Sequence, residues 1–269
     1  MAHIHRKRFG QHFLHDPAII QKIISAIAPA VNDKIIEIGP GLGAITLPLL
    51  NAVNRLTAIE IDRDAAAALA GHIDGTANLE IIVGDALKTD FCAVAAGLAP
   101  PQAKARIVGN LPYNISTPLM FHLLNQVECI ADMHFMLQKE VVRRMTASPG
   151  NKQYGRLTIM LALRCRAERL FDIGPGAFNP PPRVASSFVR LIPDGTLADQ
   201  LNDMALFENV VRTAFSGRRK TLRRSLADLI ETDDFAQAEV DAGRRPEQLS
   251  TADFVRLANA CTARRGAAL

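Results

Sequence analysis

The tetrapeptide Asn110-Leu111-Pro112-Tyr113 places an amide side chain, a backbone carbonyl, a proline and an aromatic ring in four consecutive positions. An exocyclic amine on an aromatic base is a poor nucleophile, because its lone pair is delocalised into the ring. The Asn110 side-chain oxygen and the Leu111 carbonyl can accept the two protons of such an amine, which localises the lone pair and aims it at an electrophile. Pro112 lacks an N–H and stiffens the turn. Tyr113 offers a face for a purine, a contact worth ~1 to 3 kcal/mol per base. This set of groups suits in-line transfer of a methyl group from a sulfonium, for which the protein supplies orientation and electrostatics and needs neither a metal nor a covalent intermediate.

A second constellation lies upstream. Glu37-Ile38-Gly39-Pro40-Gly41-Leu42-Gly43 is glycine-rich, which lets a ligand approach the backbone and permits unusual dihedrals. It is not the dinucleotide fingerprint, because the third glycine comes too early, and no GK[ST] follows to make a phosphate loop. Glu60-Ile61-Asp62 puts a carboxylate about 20 residues further on, where folds of this kind bind ribose hydroxyls. Gly84-Asp85-Ala86 supplies an acceptor for the exocyclic amine of an adenine. Singly, each acidic residue is as well explained as a helix cap or turn residue. In combination, on successive strand ends, they read as an adenosyl site.

The elements that must position these residues follow from hydrophobic periodicity. Strands are predicted over 34–38, 56–61, 79–83 and 105–108, with helices over 44–53, 64–72 and 117–126 between or after them. Strand and helix alternation implies a mostly parallel, doubly wound α/β sheet whose ligands bind beyond the carboxyl ends of the strands, where every motif above sits. A strand over 134–137, a helix over 140–145 and two strands over 157–170 and 184–192, on either side of a proline-rich loop, complete the sheet in antiparallel fashion. After Pro193-Asp194-Gly195 only helices and a basic segment remain, so the expected domains are 1–195 and 196–269.

Composition narrows the class further. The 269 residues are 48% hydrophobic and 22% charged, as in a globular protein. The formal net charge is +4 and the isoelectric point about 9.0, with basic clusters at Arg6-Lys7-Arg8, Arg143-Arg144, Arg218-Arg219-Lys220 and Arg223-Arg224. These favour a polyanionic partner. Cys92, Cys129, Cys165 and Cys261 form no CxxC pair, and reduced cysteines with neither zinc nor a disulfide framework are expected. His3 and His5 lack obvious companions as metal ligands. With no secretory signal and no apolar run long enough to span a bilayer, the chain reads as cytoplasmic.

The runs RFGQHFL (8–14), EIGPGLG (37–43), GNLPYNIST (109–117), HFMLQKEVV (134–142), YGRLT (154–158) and FNPPPRV (178–184) together resemble the bacterial small-subunit ribosomal RNA adenine dimethyltransferase family, in order and over most of the chain. The resemblance implies a Rossmann-like S-adenosylmethionine-dependent methyltransferase sheet with a small C-terminal α-helical, RNA-binding domain. It implies N6,N6-dimethylation of two adjacent adenosines near the 3′ end of 16S rRNA in the assembling small subunit, by a monomer. His12, Leu14, Gly39, Glu60, Asp85 and Asn110 would contact S-adenosylmethionine. Asn110, Leu111, Pro112 and Tyr113 would carry the chemistry, with Phe178 stacking on the flipped adenine opposite Tyr113. His12 departs from the pattern, since many similar sequences carry asparagine there.

Three other readings make distinct predictions. The large-subunit adenine methyltransferases of macrolide resistance share these motifs, although HFMLQKEVV and GPGAFNPPPRV favour the small-subunit type. A ribosome-assembly or transcription factor keeping the fold without catalysis would bind RNA and transfer nothing. A small-molecule methyltransferase would leave the basic helical segment and the 6–8 arm without a role.

Overall fold

The computed structural model describes residues 12–73, 78–98, 103–112, 114–217 and 219–267. Strand β1 (Phe13–Leu14) leads into helix α1 (Pro17–Ile27). The start of α1 is fixed by Asp16, whose carboxylate accepts from the N–H groups of Ala18 (2.9 Å) and Ile19 (3.3 Å), and by a proline in the first turn, where its missing N–H costs nothing. There follow β2 (Lys34–Ile38), α2 (Thr46–Leu50), β3 (Leu56–Glu60), α3 (Arg63–His72), β4 (Leu79–Val83), α4 (Phe91–Ala96), β5 (Ala105–Asn110), α5 (Ser116–Leu124) and β6 (Ile130–Gln138). All residues of β2 and β3 are buried, as continuous apolar strands covered on both faces must be.

The chain continues through α6 (Lys139–Met145), α7 (Arg156–Ala162), β7 (Cys165–Ile173), β8 (Phe178–Asn179), β9 (Ser186–Pro193), α8 (Met204–Ser216), α9 (Leu222–Ser225), α10 (Thr232–Gln237) and α11 (Thr251–Ala267). The main sheet has the order β4-β3-β2-β5-β6-β9-β7. Its first five strands run parallel, and β9 is antiparallel to β6. The strand order turns back between β2 and β5, the crevice in which open α/β sheets bind ligands. Separately, β1 pairs antiparallel with β8, Leu14 opposite Phe178.

Two sequence expectations are corrected. Residues 157–162 are helical, not the start of a strand: LTIMLA is apolar except for Thr158 and has no diagnostic period, and here Leu157 to Leu161 are all buried. The cysteines are not all reduced. Cys92 and Cys129 are joined as a disulfide with Cα atoms 5.4 Å apart, because α4 and the short turn at Val127–Cys129 pack together across 37 residues of sequence.

The chain forms two compact units. One takes residues up to Val142 and Glu168–Pro193, and the other takes Arg143–Ala167 with Asp194 onward. Residues 143–167, which the sequence-based division puts with the sheet, group with the C-terminal helices because α7 packs against α8. In this second unit Phe207, Val210, Leu222, Phe254 and Leu257 are buried, and the Phe215 ring lies between those of Tyr154 and Phe254. The buried Asp234 carboxylate receives Arg264 Nε at 3.0 Å.

At the amino ends of the strands in the first unit, Arg106 cross-links neighbours. Its guanidinium reaches Asp132 (2.8 Å), Asp33 (2.6 Å) and the Ile27 carbonyl (2.6 Å). That leaves the carboxyl ends for ligands.

Candidate active site

The carboxyl ends of β2, β3, β4 and β5 open into a cavity of about 1010 Å³, lined by the glycine turn, Glu60, Asp85, Asn110 and Phe178 among others. The turn after β2 can form only because Gly39 (φ 68°), Gly41 (φ 55°) and Gly43 (φ 89°) take left-handed conformations. A side chain at Gly41 would also meet the Phe13 ring at 3.1 Å. The Gly39 N–H donates to the Ile59 carbonyl at 2.9 Å, which holds the turn against the end of β3.

Glu60 is buried beside that turn. One carboxylate oxygen accepts from Gly41 N–H (3.3 Å), the other from Asp62 N–H (2.9 Å). Burial raises its pKa above the ordinary carboxylate value despite these hydrogen bonds. Asp62 caps α3 through Asp64 N–H at 2.9 Å, so its role is local. Asp85 likewise caps a short turn through Leu87 N–H at 3.0 Å. A carboxylate has lone pairs enough to cap and still accept from a ligand.

Asn110 ends β5. Its Nδ2 donates to the His12 carbonyl at 3.2 Å, and the next N–H, that of Leu111, donates to the Met136 carbonyl at 3.2 Å. One of the two Nδ2 hydrogens of Asn110 and the Leu111 N–H are therefore engaged by protein, which fixes the orientation of the Asn110 amide. Leu111 is buried, and the Pro112 carbonyl accepts from Ile115 N–H (3.2 Å), closing the turn into α5. Tyr113 lies outside the described residues.

The N-terminal strand brings His12 and Leu14 to the same cavity. Leu14 is buried in the apolar cluster that also contains Phe178. Phe178 is only 3% exposed, so its ring is an apolar anchor as well as part of the cavity wall. His12 Nδ1 lies 2.7 Å from the Pro180 carbonyl, and His15 N–H donates to Ala177 O at 3.0 Å. Segment 12–15 is thus stitched to loop 177–180 from both ends.

A model of ribosomal RNA adenine dimethylases matches residues 2–263. The chain belongs to the ribosomal RNA adenine dimethylase family. The ribosomal RNA small subunit methyltransferase A of Pseudomonas savastanoi pv. phaseolicola is 52% identical over 257 residues, covering 96% of this chain and 94% of that relative. A protein of that description from Methylococcus capsulatus is 49% identical, covering 96% and 98%. Among solved structures, a dimethyladenosine transferase from Plasmodium falciparum superposes with TM-score 0.79 at 29% identity, covering 91% of this chain and 96% of that one. The 23S rRNA methyltransferase ErmE shares the fold, with TM-score 0.69 at 24% identity, covering 93% and 99%. This dimethylase-family chain is therefore a Rossmann-like, S-adenosylmethionine-dependent methyltransferase.

The described residues fit that cofactor. The glycine turn admits close approach to the backbone, the carboxylates of Glu37 and Glu60 suit a cationic ligand, and Leu42 (37% exposed) and Ile61 (51% exposed) present apolar surface to the same cavity. Among the described residues no group of His, Cys, Asp and Glu could hold a metal ion, and His3 and His5 lie outside them. No described helix is long and apolar enough to cross a membrane.

Glu37 was not singled out by sequence reasoning, although it begins the glycine-rich motif. Its carboxyl is buried at the cavity wall, and burial, with the Glu60 charge adding, outweighs the Thr46 hydroxyl to push its pKa up to about 7. The available signal was a lone acidic residue inside the apolar strand KIIEI. Of the basic clusters, Arg143, Arg144, Arg219, Lys220, Arg223 and Arg224 are exposed in the second unit, while Arg6 to Arg8 and Arg218 lie outside the described residues. The N–H groups of Leu222 and Arg223 donate to the carbonyls of Arg244 (2.8 Å) and Ala242 (3.0 Å), which fixes the basic segment along residues 242–244.

Proposed function

We propose that this family member dimethylates N6 of two adjacent adenosines near the 3′ end of 16S rRNA, on the assembling small subunit, as a cytoplasmic monomer. S-adenosylmethionine, when bound, supplies an electrophilic methyl group on a sulfonium. The observation that carries the reading is the engagement of Asn110 Nδ2 by the His12 carbonyl. With one Nδ2 hydrogen held there the orientation of the amide is fixed, and the Asn110 side chain would offer Oδ1 to the amine, with the Leu111 carbonyl as the second acceptor.

Glu60 would take the ribose hydroxyls and Asp85 the adenine amine of the cofactor, with Gly39 admitting its approach and Leu14 and His12 closing the cavity over it. Pro112 holds the turn, and the rings of Phe178 and of Tyr113, which lies outside the described residues, would offer faces to the target base; extruding a base is cheapest where it is already unpaired. Exposed cations of the second unit, Arg219, Lys220, Arg223 and Arg224 with Arg143 and Arg144, would grip RNA phosphates.

The test is transfer of labelled methyl to small subunits lacking the modification, with large subunits in parallel, followed by nucleoside analysis. Dimethyladenosine in the small subunit alone is expected, and its loss in Asn110→Ala at saturating cofactor. Label in the large subunit, or full activity in Asn110→Ala, would sink the reading.

A further inference from the structure

The two half-buried cysteines at the edge of the first unit are placed unlike the other two. Cys165 and Cys261 are buried apart from one another, so neither is open to an oxidant, and burial also pushes the Cys165 thiol up to about 12. Cys92 on α4 and Cys129 on the turn after α5 have Cα atoms 5.4 Å apart, inside the range that a disulfide bridges without backbone movement. Both are partly reachable by solvent.

What they join matters for the cavity. Thr89 Oγ1 donates to the Asp85 carbonyl at 3.1 Å, and the Thr89 carbonyl in turn lies 2.7 Å from His122 Nε2 on α5. The Gln126 side chain, past the end of α5, accepts from Phe91 N–H at 2.7 Å. Segment 85–92 therefore leans on the α5 end through these polar contacts and the edge of the buried Phe91 ring against His122 (6.0 Å between centroids), besides the sulfur bond. We propose that Cys92 and Cys129 are a reversible thiol–disulfide couple, a redox-modification site whose oxidised state fastens the Asp85 segment to α5 and so preorganises the cofactor cavity. Two protein thiols and one disulfide oxidant of the glutathione type yield the protein disulfide and two free thiols. Two electrons and two protons leave the protein, and the oxidant's sulfur–sulfur bond is broken.

The proposal rests on Asp85 facing the cofactor. It is tested on the full chain, equilibrated in buffers of stepped reduced-to-oxidised glutathione ratio, quenched with acid and alkylated, then mapped by peptide mass spectrometry. In parallel, S-adenosylmethionine affinity is measured by calorimetry on the oxidised and reduced forms. The expected result is a Cys92–Cys129 cross-link that forms at oxidising ratios and is reversed by excess thiol, with Cys165 and Cys261 alkylated only after denaturation. The oxidised form should bind the cofactor at least about threefold more tightly, by preorganisation. Cys92→Ser and Cys129→Ser should each bind like the reduced form in every buffer.

Alkylation of both thiols at all ratios, or separate glutathione adducts without a cross-link, would overturn the couple. A cross-link with equal affinity in the two forms would overturn its link to the cavity, as would redox-dependent affinity persisting in the serine variants. Binding in neither form would sink the cofactor site itself, and the link with it, while leaving the mapped cross-link to stand or fall on its own.

Discussion

His12 Nδ1 and the carbonyl oxygen of Pro180 lie 2.7 Å apart, although 168 positions separate them in sequence. A carbonyl only accepts, so the imidazole presents its N–H at Nδ1. The same residue receives Asn110 Nδ2 on its own carbonyl, and so couples the Phe178 loop to the proposed acceptor. Asparagine carries an N–H donor at the position of histidine Nδ1, whereas the glutamine donor corresponds to Nε2. His12→Asn is therefore expected to keep single-turnover methyl transfer within about twofold, while His12→Gln and His12→Ala lose roughly fivefold to tenfold, the worth of one hydrogen bond. Equal rates in all three would remove the tie from the argument.

Glu37 makes the stability of the ligand-free protein depend on pH. Its carboxyl titrates at about 7 in the fold against 4.5 when exposed. Below pH 4.5 both states hold the proton, and nothing is lost. As pH rises from there the unfolded chain releases its proton first, so stability falls until about pH 7 and then levels, by a total on the order of 3 kcal/mol. Glu37→Gln has no proton to release. Its denaturation midpoint relative to the parent should climb between pH 5 and pH 8, and a difference constant across that span would show that burial does not control this group.

Gly109 lies where β5 passes β2. A Cβ there would meet the Ile38 carbonyl oxygen at 2.6 Å, and that atom belongs to a neighbouring strand that cannot swing away. Gly109→Ala is expected to cost about 1 to 3 kcal/mol as overpacking, seen as a lower melting temperature, and to loosen the placement of Asn110 next to it. An unchanged melting temperature would mean that the two strands separate more freely than their register implies.

Arg219 and Lys220 are exposed on the segment held along residues 242–244. If each meets an RNA phosphate, the Arg219→Ala, Lys220→Ala pair should weaken binding and reduce the slope of log affinity against log salt by about 1.5. Weaker binding with an unchanged slope would point to a loss of shape rather than of charge contacts.

The parallel strands were legible because KIIEI and LTAIE are apolar runs of strand length ended by glycine or acidic turn residues, and each motif falls at the end its strand must have. LTIMLA carried no such information: five apolar residues around one threonine satisfy a buried helix as well as a buried strand, and only the neighbouring helix decides. Three other features depend on pairs that meet only in the fold. His12 with Pro180, Cys92 with Cys129 and Glu37 with Glu60 leave no local pattern, so the chemistry of each partner was visible without its company.

The second unit is not a tail. Helix α7 is buried within it yet precedes β7 in the chain, whereas α8 begins only at Met204. On a ribosome adding roughly 5 to 20 residues per second, the apolar face of α7 must wait on the order of several seconds for its partner helix to emerge. Shortening the gene after residue 195 would leave that face permanently uncovered. Exchanging this unit between relatives would therefore require swapping two stretches of gene together.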